Sequence, residues 1–281
     1  MKTLEDKVVV ITGAGSGIGR ALAIGAARRG ASLALSDWNA EGLDETLALT
    51  GASARRALTR KVDVRSDDEV LAFAAEVERE LGGAHVVVNN AGVSLSDSVG
   101  TMKRDDFAWL MDINFWGVVR GTEAFLPQLH RRDEAHVVNV SSVFGLIGVP
   151  RQSAYNASKF AVRGFSEAMA QELIGTNVRV SVVCPGGVKT GIVANGRHYQ
   201  DVHGRPVDTQ TLSATFERLA GTTPEKAAET IWRGVLANEP RILVGPDAHL
   251  IEAMVRLLPR GYPRVMAGVL ALAERARGVR R

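Results

Sequence analysis

Lys7 to Gly19 reads KVVVITGAGSGIG, and the fold is decided by what this stretch does. Lys7 to Ile11 is a β-branched run, Thr12 to Gly19 is a glycine turn, and a helix-period pattern then continues through Arg29 until Gly30 closes it. The order is strand, turn, helix. Gly13, Gly17 and Gly19 let the backbone turn sharply and approach a ligand closely, while the start of the helix directs N–H groups and a positive dipole end at the same place. A pyrophosphate suits that place. The spacing departs from G-x-G-x-x-G because position 20 is Arg20, so a plain glycine turn remains open on this stretch alone.

Ser32 to Ser36 makes the next apolar strand, and Asp37 stands at its end, 24 residues beyond Gly13. A dinucleotide fold places there the carboxylate that accepts hydrogen bonds from the adenosine ribose. The same carboxylate repels a 2′-phosphate, and Trp38 follows with no Arg or Lys to compensate, which argues for NAD over NADP. Alternatively, Asp37 or Asn39 caps a helix over 40–50. Thr59 to Val64 reads as a third strand ending in Asp63-Val64, and Ser66 to Glu69 as a capping box for a helix with Val70, Phe73, Ala74, Val77 and Leu81 inward. His85 to Val88 is a continuous apolar run of the kind a central parallel strand shows, and it opens into Asn89-Asn90-Ala91-Gly92. Unbroken alternation of strands and helices predicts an α/β, doubly wound parallel sheet with right-handed crossovers.

Lys103 to Arg131 reads as one helical stretch bent near Asn114, a poor helix former whose side chain can bind a carbonyl freed by a kink, with Pro127 closing its apolar part. Ala135 to Val140 is the fifth strand, Ser142 follows it, and the helix 154–174 carries Tyr155 and Lys159 one turn apart on one face. A hydroxyl, a phenol and an ammonium thus converge at a sheet's C-terminal edge. A phenol of pKa about 10 is scarcely ionised at neutral pH, and a nearby positive charge favours its phenolate. Tyr155 can then transfer a proton while Ser142 holds the same substrate oxygen. Tyr-x-x-x-Lys also arises by chance on amphipathic helices, so the pattern needs its neighbours. Around this helix Arg163, Glu167 and Gln171 form a narrow polar stripe, and the remainder is apolar enough to be buried on two sides, one of them against a second subunit.

Val178 to Val183 runs into Pro185-Gly186-Gly187-Val188-Lys189-Thr190. From 191 to 222 no periodicity holds, and a long irregular segment beside a strand end reads as a binding lid. Thr223-Pro224-Glu225 opens a helix with a cap and an N1 proline, Arg241 to Val244 is the last strand, and 247–281 looks helical and ends in Arg275, Arg277, Arg280 and Arg281.

Composition excludes several classes. Lys and Arg are interspersed with Asp and Glu at a net charge of only +3, so no nucleic-acid role is expected. The acidic residues in MKTLEDKVVVITG argue against an export signal, and no run reaches membrane-span length. The single cysteine, Cys184, permits no internal disulfide and suits a reducing cytoplasm; before Pro185 at the end of an apolar run it reads as a core-edge residue. The six histidines show no zinc-type spacing, so no metal is expected.

Thr12-Gly13-x-x-x-Gly17-x-Gly19, Asn89-Asn90-Ala91-Gly92, Asn114, Ser142, Tyr155-x-x-x-Lys159 and Pro185-Gly186, in this order, resemble the short-chain dehydrogenase/reductase family over about residues 5–245. The resemblance implies a Rossmann-type sheet of about seven strands in one catalytic domain over 1–245, with the lid at 191–222 and a helical extension over 246–281 packed on the same domain. It implies Tyr155 as acid/base, Ser142 orienting the substrate oxygen, Lys159 lowering the tyrosine pKa and binding the nicotinamide ribose, and Asn114 anchoring a proton-relay water. The dinucleotide shell then comprises Gly13, Ser16, Gly17, Ile18, Gly19, Asp37, Asp63, Val64, Asn90, Ala91, Gly92, Tyr155, Lys159, Pro185, Gly186, Val188 and Thr190. The expected activity is NAD(H)-dependent interconversion of a secondary alcohol and a ketone by a homodimer or homotetramer. An apolar run from Val143 to Pro150 beside the carbinol favours a bulky hydrophobic substrate. An NADPH-dependent 3-oxoacyl-thioester reductase and a non-catalytic nucleotide-binding protein are the alternatives. Arg197, His198, His203 and Arg205 either hold a carboxylate or phosphate or form a solvated lid surface. The tail, mixing Val265, Leu270 and Leu272 with terminal arginines, lies on a membrane surface, on a partner subunit or over the core.

Overall fold

The computed structural model describes residues 1–268; Leu270, Leu272 and the terminal arginines of the expected last helix lie outside the described residues. In chain order the elements are β1 (Val8–Thr12), α1 (Gly17–Ala27), β2 (Ser32–Asp37), α2 (Ala40–Thr50), β3 (Ala57–Lys61), α3 (Asp67–Leu81), β4 (Val86–Asn89) and β5 (Leu95–Ser96). They continue with α4 (Arg104–Met111), α5 (Gly117–His130), β6 (Ala135–Val140), α6 (Ser153–Glu172), β7 (Val178–Pro185), β8 (Arg197–His198), α7 (Thr209–Leu219), α8 (Pro224–Leu236), β9 (Arg241–Val244) and α9 (Pro246–Leu257).

Among the described residues the main sheet has seven parallel strands in the order β3-β2-β1-β4-β6-β7-β9, so the winding direction reverses between β1 and β4. This is the predicted doubly wound α/β fold. Every residue of β4 and β6 is buried, as a parallel strand covered on both faces requires. On one face Leu22, Leu43, Ile231 and Trp232 pack α1, α2 and α8 onto the strands; on the other Phe73, Val77, Phe125, Leu129 and Met169 do the same for α3, α5 and α6. Ligands of such sheets bind beyond the strand C-termini at the reversal.

The caps behave as the sequence suggests. Ser66 Oγ accepts from Glu69 N at 3.3 Å and Thr223 Oγ1 from Lys226 N at 3.3 Å. Asp112 to Trp116 forms a π-helical turn between α4 and α5, the bend expected near Asn114.

Four expectations are corrected. The third strand ends at Lys61, because beyond it Asp63 N is taken by Glu69 Oε2 at 2.9 Å and the chain turns out of the sheet; Val62 and Val64 are buried by packing instead. Pro127, exposed and inside α5, does not close the helix's apolar part, because Leu129 beyond it is buried in the core; water can take the carbonyl the proline frees. Segment 191–222 is not irregular throughout: β8 pairs in parallel with β5, and α7 follows. The tail helix also breaks, with α9 ending at Leu257 and a second helical stretch over 262–268. No helix among the described residues is long and apolar enough to cross a membrane.

His136 on β6 is wholly buried. Ser181 Oγ donates to Glu239 O at 2.6 Å, so the 2.8 Å contact of Ser181 Oγ with His136 Nε2 carries the imidazole's proton, and Nδ1 is left buried without a partner. Burial holds the imidazole neutral, its pKa pushed down to about 3. The unfolded chain takes up a proton below pH about 6.5 while the folded chain does not, so stability rises with pH across that window. The slope attributable to His136 is about 1.4 kcal/mol per pH unit. Half-buried His85, pushed down to about 4 chiefly by burial, adds to the loss in the same window, so urea unfolding between pH 6.5 and 5 should show a loss on acidification that His136→Gln reduces without abolishing.

Candidate active site

At the glycine turn, Gly13 and Gly17 have φ of 66° and 53°, conformations that favour glycine. Gly19 is packed so closely that a Cβ there would fall 2.1 Å from Gly13 O. Ser16 is the N-cap of α1, yet its side chain makes no capping bond and no acidic residue stands in the first turn. The first amides of α1 are therefore without a side-chain partner, which suits an anion. Half-buried Ile18 packs against the core beside them.

Asn39, not Asp37, caps α2, its Oδ1 accepting from Gly42 N at 3.4 Å. That leaves Asp37 to the turn, with Oδ2 accepting from Gly15 N at 2.9 Å and Oδ1 from Asn39 N at 2.9 Å. The neighbouring cation, Arg20, is committed to Gly15 O at 2.5 Å and Glu45 at 2.7 Å. Trp38 is largely exposed.

Asn90 to Gly92 leave β4 beside this turn. Asn90 N and Ala91 N each donate to Thr12 Oγ1 at 3.1 Å, and Asn90 Nδ2 donates to Thr12 O and Gly13 O, each at 3.0 Å. Asn114, fully buried in the π turn, takes Val93 N at 2.8 Å and donates to Val93 O at 2.9 Å and Ser158 Oγ at 3.2 Å. A Cβ on Gly92 would lie 3.3 Å from Asn114 Oδ1 and 3.5 Å from Lys159 Nζ, so a bare backbone separates the amide from the ammonium.

Tyr155 and Lys159 sit on α6, buried and one turn apart, with the Lys159 ammonium 5.7 Å from the phenol ring's centre. Lys159 Nζ donates to Val140 O at 3.0 Å, and Ser141 Oγ holds Lys159 O at 2.7 Å. Ser142 Oγ accepts from Phe144 N at 3.1 Å. Burial pushes Tyr155 up to about 12 against the downward pull of the Ser142 hydroxyl, and burial lowers Lys159 to about 8. Desolvation is thus the larger influence on both groups in this arrangement, rather than their charges. Phe144 meets the Tyr155 ring edge-on at 5.8 Å, and Val93, Leu95, Met102 and Ile192 complete an apolar surround. Val143 and Leu146 instead turn into the core with Val182 and Cys184, so only part of the 143–150 run faces this side. Cys184 is buried and its thiol pushed up to about 12 by that burial, an inert core residue.

Asn156, beside Tyr155, is a residue the sequence reading did not single out. Its Nδ2 donates to Phe144 O at 2.8 Å and Ile147 O at 2.6 Å, and its Oδ1 accepts from Val149 N at 3.1 Å. It staples the 144–149 loop onto α6 and so fixes Phe144 against the phenol. No sequence signal marks an asparagine for this, because its partners are backbone groups of a non-repetitive loop.

The remaining expected residues are distributed around the edge. The Asp63 carboxylate is taken by Arg65, whose hydrogen bond lowers its pKa, and Val64 packs on Gly117. Gly186 N donates to Val244 O at 2.9 Å, and Gly187 N to Asp247 Oδ2 at 2.7 Å, so the first turn of α9 holds the Pro185–Gly187 turn. Val188 bridges Thr222, and Thr190 lies against Gly17. A cleft of about 1030 Å³ runs from Gly17 and Thr190 between α1, α7 and α8; none of Ser142, Tyr155 or Lys159 lines it.

The basic residues of the lid segment are occupied. Arg197 stacks 4.0 Å above the Trp109 ring and donates to buried Asp106 at 2.5 Å, and Tyr199 donates to the same carboxylate at 3.0 Å. His198 is bracketed by Ser94 Oγ at 3.1 Å, Ser96 Oγ at 2.9 Å and Val193 O at 3.0 Å. Arg205 is paired with Asp201 at 2.7 Å. They secure the segment instead of forming a merely solvated surface.

The family model described as short chain dehydrogenase matches residues 7–201. A Mycobacterium tuberculosis protein named as oxidoreductase SadH is 43% identical over 274 residues, covering 96% of this chain and 98% of that protein. Estradiol 17-beta-dehydrogenase 11 of Mus musculus is 31% identical over 268 residues, covering 94% of this chain and 84% of that protein. A short chain dehydrogenase/reductase from Burkholderia phymatum, solved in complex with NAD, superimposes with a TM-score of 0.82 at 31% identity, covering 94% of this chain and 96% of that one. With the strand order and the glycine turn already described, these likenesses make the chain a member of the short-chain dehydrogenase family of oxidoreductases, which bind a nicotinamide cofactor.

Proposed function

We propose that the protein is an NAD(H)-dependent oxidoreductase that interconverts a secondary alcohol and a ketone on a largely apolar substrate. The observation that carries the cofactor choice is the Asp37 carboxylate on Gly15 N, free of helix capping and with Arg20 already committed elsewhere. A 2′-phosphate there meets a negative charge. The residues around the glycine turn fit a dinucleotide: unpartnered helix amides for the pyrophosphate, Asp37 for the ribose, and Lys159 within reach of Gly92 for the nicotinamide half. Asn90, Ala91, Val188 and Thr190 complete the shell by the family resemblance. NAD, when bound, accepts or returns the hydride.

The protein's own part is the proton. Tyr155, with its pKa near 12, holds the proton that a carbonyl oxygen needs on reduction, and Ser142 orients that oxygen against the phenol. Oxidation runs the same transfer backwards, with Tyr155 as base. Lys159 keeps a positive charge one turn away, and Asn114 fixes the backbone beside it, where it anchors a relay water in this reading. The apolar surround of Tyr155 favours a hydrophobic body over a polyol. The mouse relative's name, an estradiol dehydrogenase, points the same way. The catalytic domain spans 1–245 with the lid at 191–222, and the start of the extension, Pro246–Leu257, is tied to it through Asp247 and the Glu252–Arg241 pair.

Exposed Phe107, Trp116 and Phe160 on α4, the π turn and α6 support a homodimer or homotetramer, since large apolar groups left in water favour association. Sedimentation at micromolar concentration should show no stable monomer.

Wild type should saturate with NAD at far lower concentration than with NADP, and Asp37→Ser with Trp38→Arg should shift preference toward NADP; better use of NADP by wild type contradicts the reading. Tyr155→Phe should lower turnover by about 10²–10⁴-fold while NAD still binds. In wild type, kcat/KM for oxidation should rise with pH and that for reduction should fall at the alkaline end, because only the ionised phenol accepts a proton.

A further inference from the structure

Arg151 immediately follows Pro150, four residues ahead of Tyr155, in the turn between the 144–149 loop and α6. Its φ is 63°, in the left-handed region, where an L side chain is strained. The turn is locked, because Asp97 N donates to Arg151 O at 2.9 Å. Gly204, with φ of 81°, is laid on the guanidinium: a Cβ there would come 2.5 Å from Nη2 and 3.3 Å from Nε. Beneath that glycine Nε is shut off from solvent and has no hydrogen-bond partner. Nη1 and Nη2 remain reachable, and neither makes a hydrogen bond or ion pair among the described residues. Arg197 and Arg205, the neighbouring arginines of the lid segment, are both paired.

A strained backbone, a buried donor left unsatisfied and an unpaired charge all weaken the fold, and such combinations persist where a ligand uses them. We propose that Arg151 is the anion-recognising residue of the substrate site: its terminal Nη1 and Nη2 receive a carboxylate borne by the apolar substrate whose carbinol is presented to Tyr155. The guanidinium fork suits a planar carboxylate through two parallel N–H bonds, and the glycine above it holds the fork in one orientation. The Cα atoms of Arg151 and Tyr155 are at most about 14 Å apart, so both side chains start from the same end of α6 and a hydrocarbon body can lie between them. Phe144, Leu95, Met102 and Ile192 supply the apolar contact for that body. The inference rests on Tyr155 marking the reacting carbon.

The test compares octanoate with octan-1-ol, each titrated calorimetrically into the protein saturated with NAD. Wild type should bind octanoate at least about tenfold more tightly, the worth of a charged hydrogen bond. Arg151→Gly should lose the preference while its melting temperature holds or rises, because glycine relieves the left-handed strain. Arg151→Lys, keeping the charge without the fork, should retain part of the preference. Equal affinities in wild type overturn the proposal, and so does a preference that survives Arg151→Gly. Absence of turnover on every alcohol tried would sink the oxidoreductase reading while leaving this binding comparison decisive for Arg151.

Discussion

Two parallel strands that end side by side make one wall of a crevice only if their exits are held together, and here Thr12 and Asn90 do so. Thr12 Oγ1 receives two N–H groups from the β4 exit, and Asn90 returns two hydrogen bonds to the carbonyls at the β1 exit. Neutral hydrogen bonds contribute about 1 kcal/mol each, so the junction is modest in energy but rigid in geometry. It is made where the strand order reverses, and it brings the glycine turn and the Asn90–Gly92 segment into one wall. Bare backbone at Gly13 and Gly19 is a condition of this closeness, since any side chain would collide with a neighbouring carbonyl or amide.

The second wall depends on how α6 is set against the sheet. Asn89 Nδ2 donates to Asn139 Oδ1 at 2.9 Å, Asn139 Nδ2 to Ser166 Oγ at 2.9 Å, and Ser166 Oγ to Val162 O at 2.7 Å. The Asn139–Ser166 bond is the rung that crosses to α6, and sliding the helix by a residue would break it and leave the buried Asn139 amide without its acceptor. Tyr155 and Lys159 inherit their places from it. Buried networks of this kind specify a geometry more than they add stability.

The sequence disclosed the features that depend on local pattern. The apolar runs of β1, β4 and β6, the Ser66 and Thr223 caps and the bend at Asn114 each follow from residues close in the chain. Features that depend on distant partners stayed hidden. β5 and β8 are two residues each and exist only because Leu95 meets Arg197 and Ser96 meets His198, about a hundred positions apart. Asn156, Asp106 and Arg151 matter through backbone groups or buried partners that no spacing announces. Asp37 and Asn39 could not be told apart as caps until Asp37 was placed on Gly15. The Tyr155–Lys159 pair shows a different limit: spacing gives their proximity, but the protonation of both is governed by burial, which is a property of the packed molecule.

Segment 191–222 is two pieces with unequal hold on the domain. Ile192 to Tyr199 is fastened by the β5–β8 pairing, the bracketed His198 and the Asp106 cluster, whereas no residue of α7 is buried. The free energy needed to lift a region scales with what it buries, so α7 can detach while the fastened piece keeps its fold. Substitutions in α7 are correspondingly cheap for the chain to accept. A new specificity can arise there by drift or by grafting α7 from a relative, whereas the same changes across 192–199 must be accommodated by Trp109, Asp106 and Ser94 together.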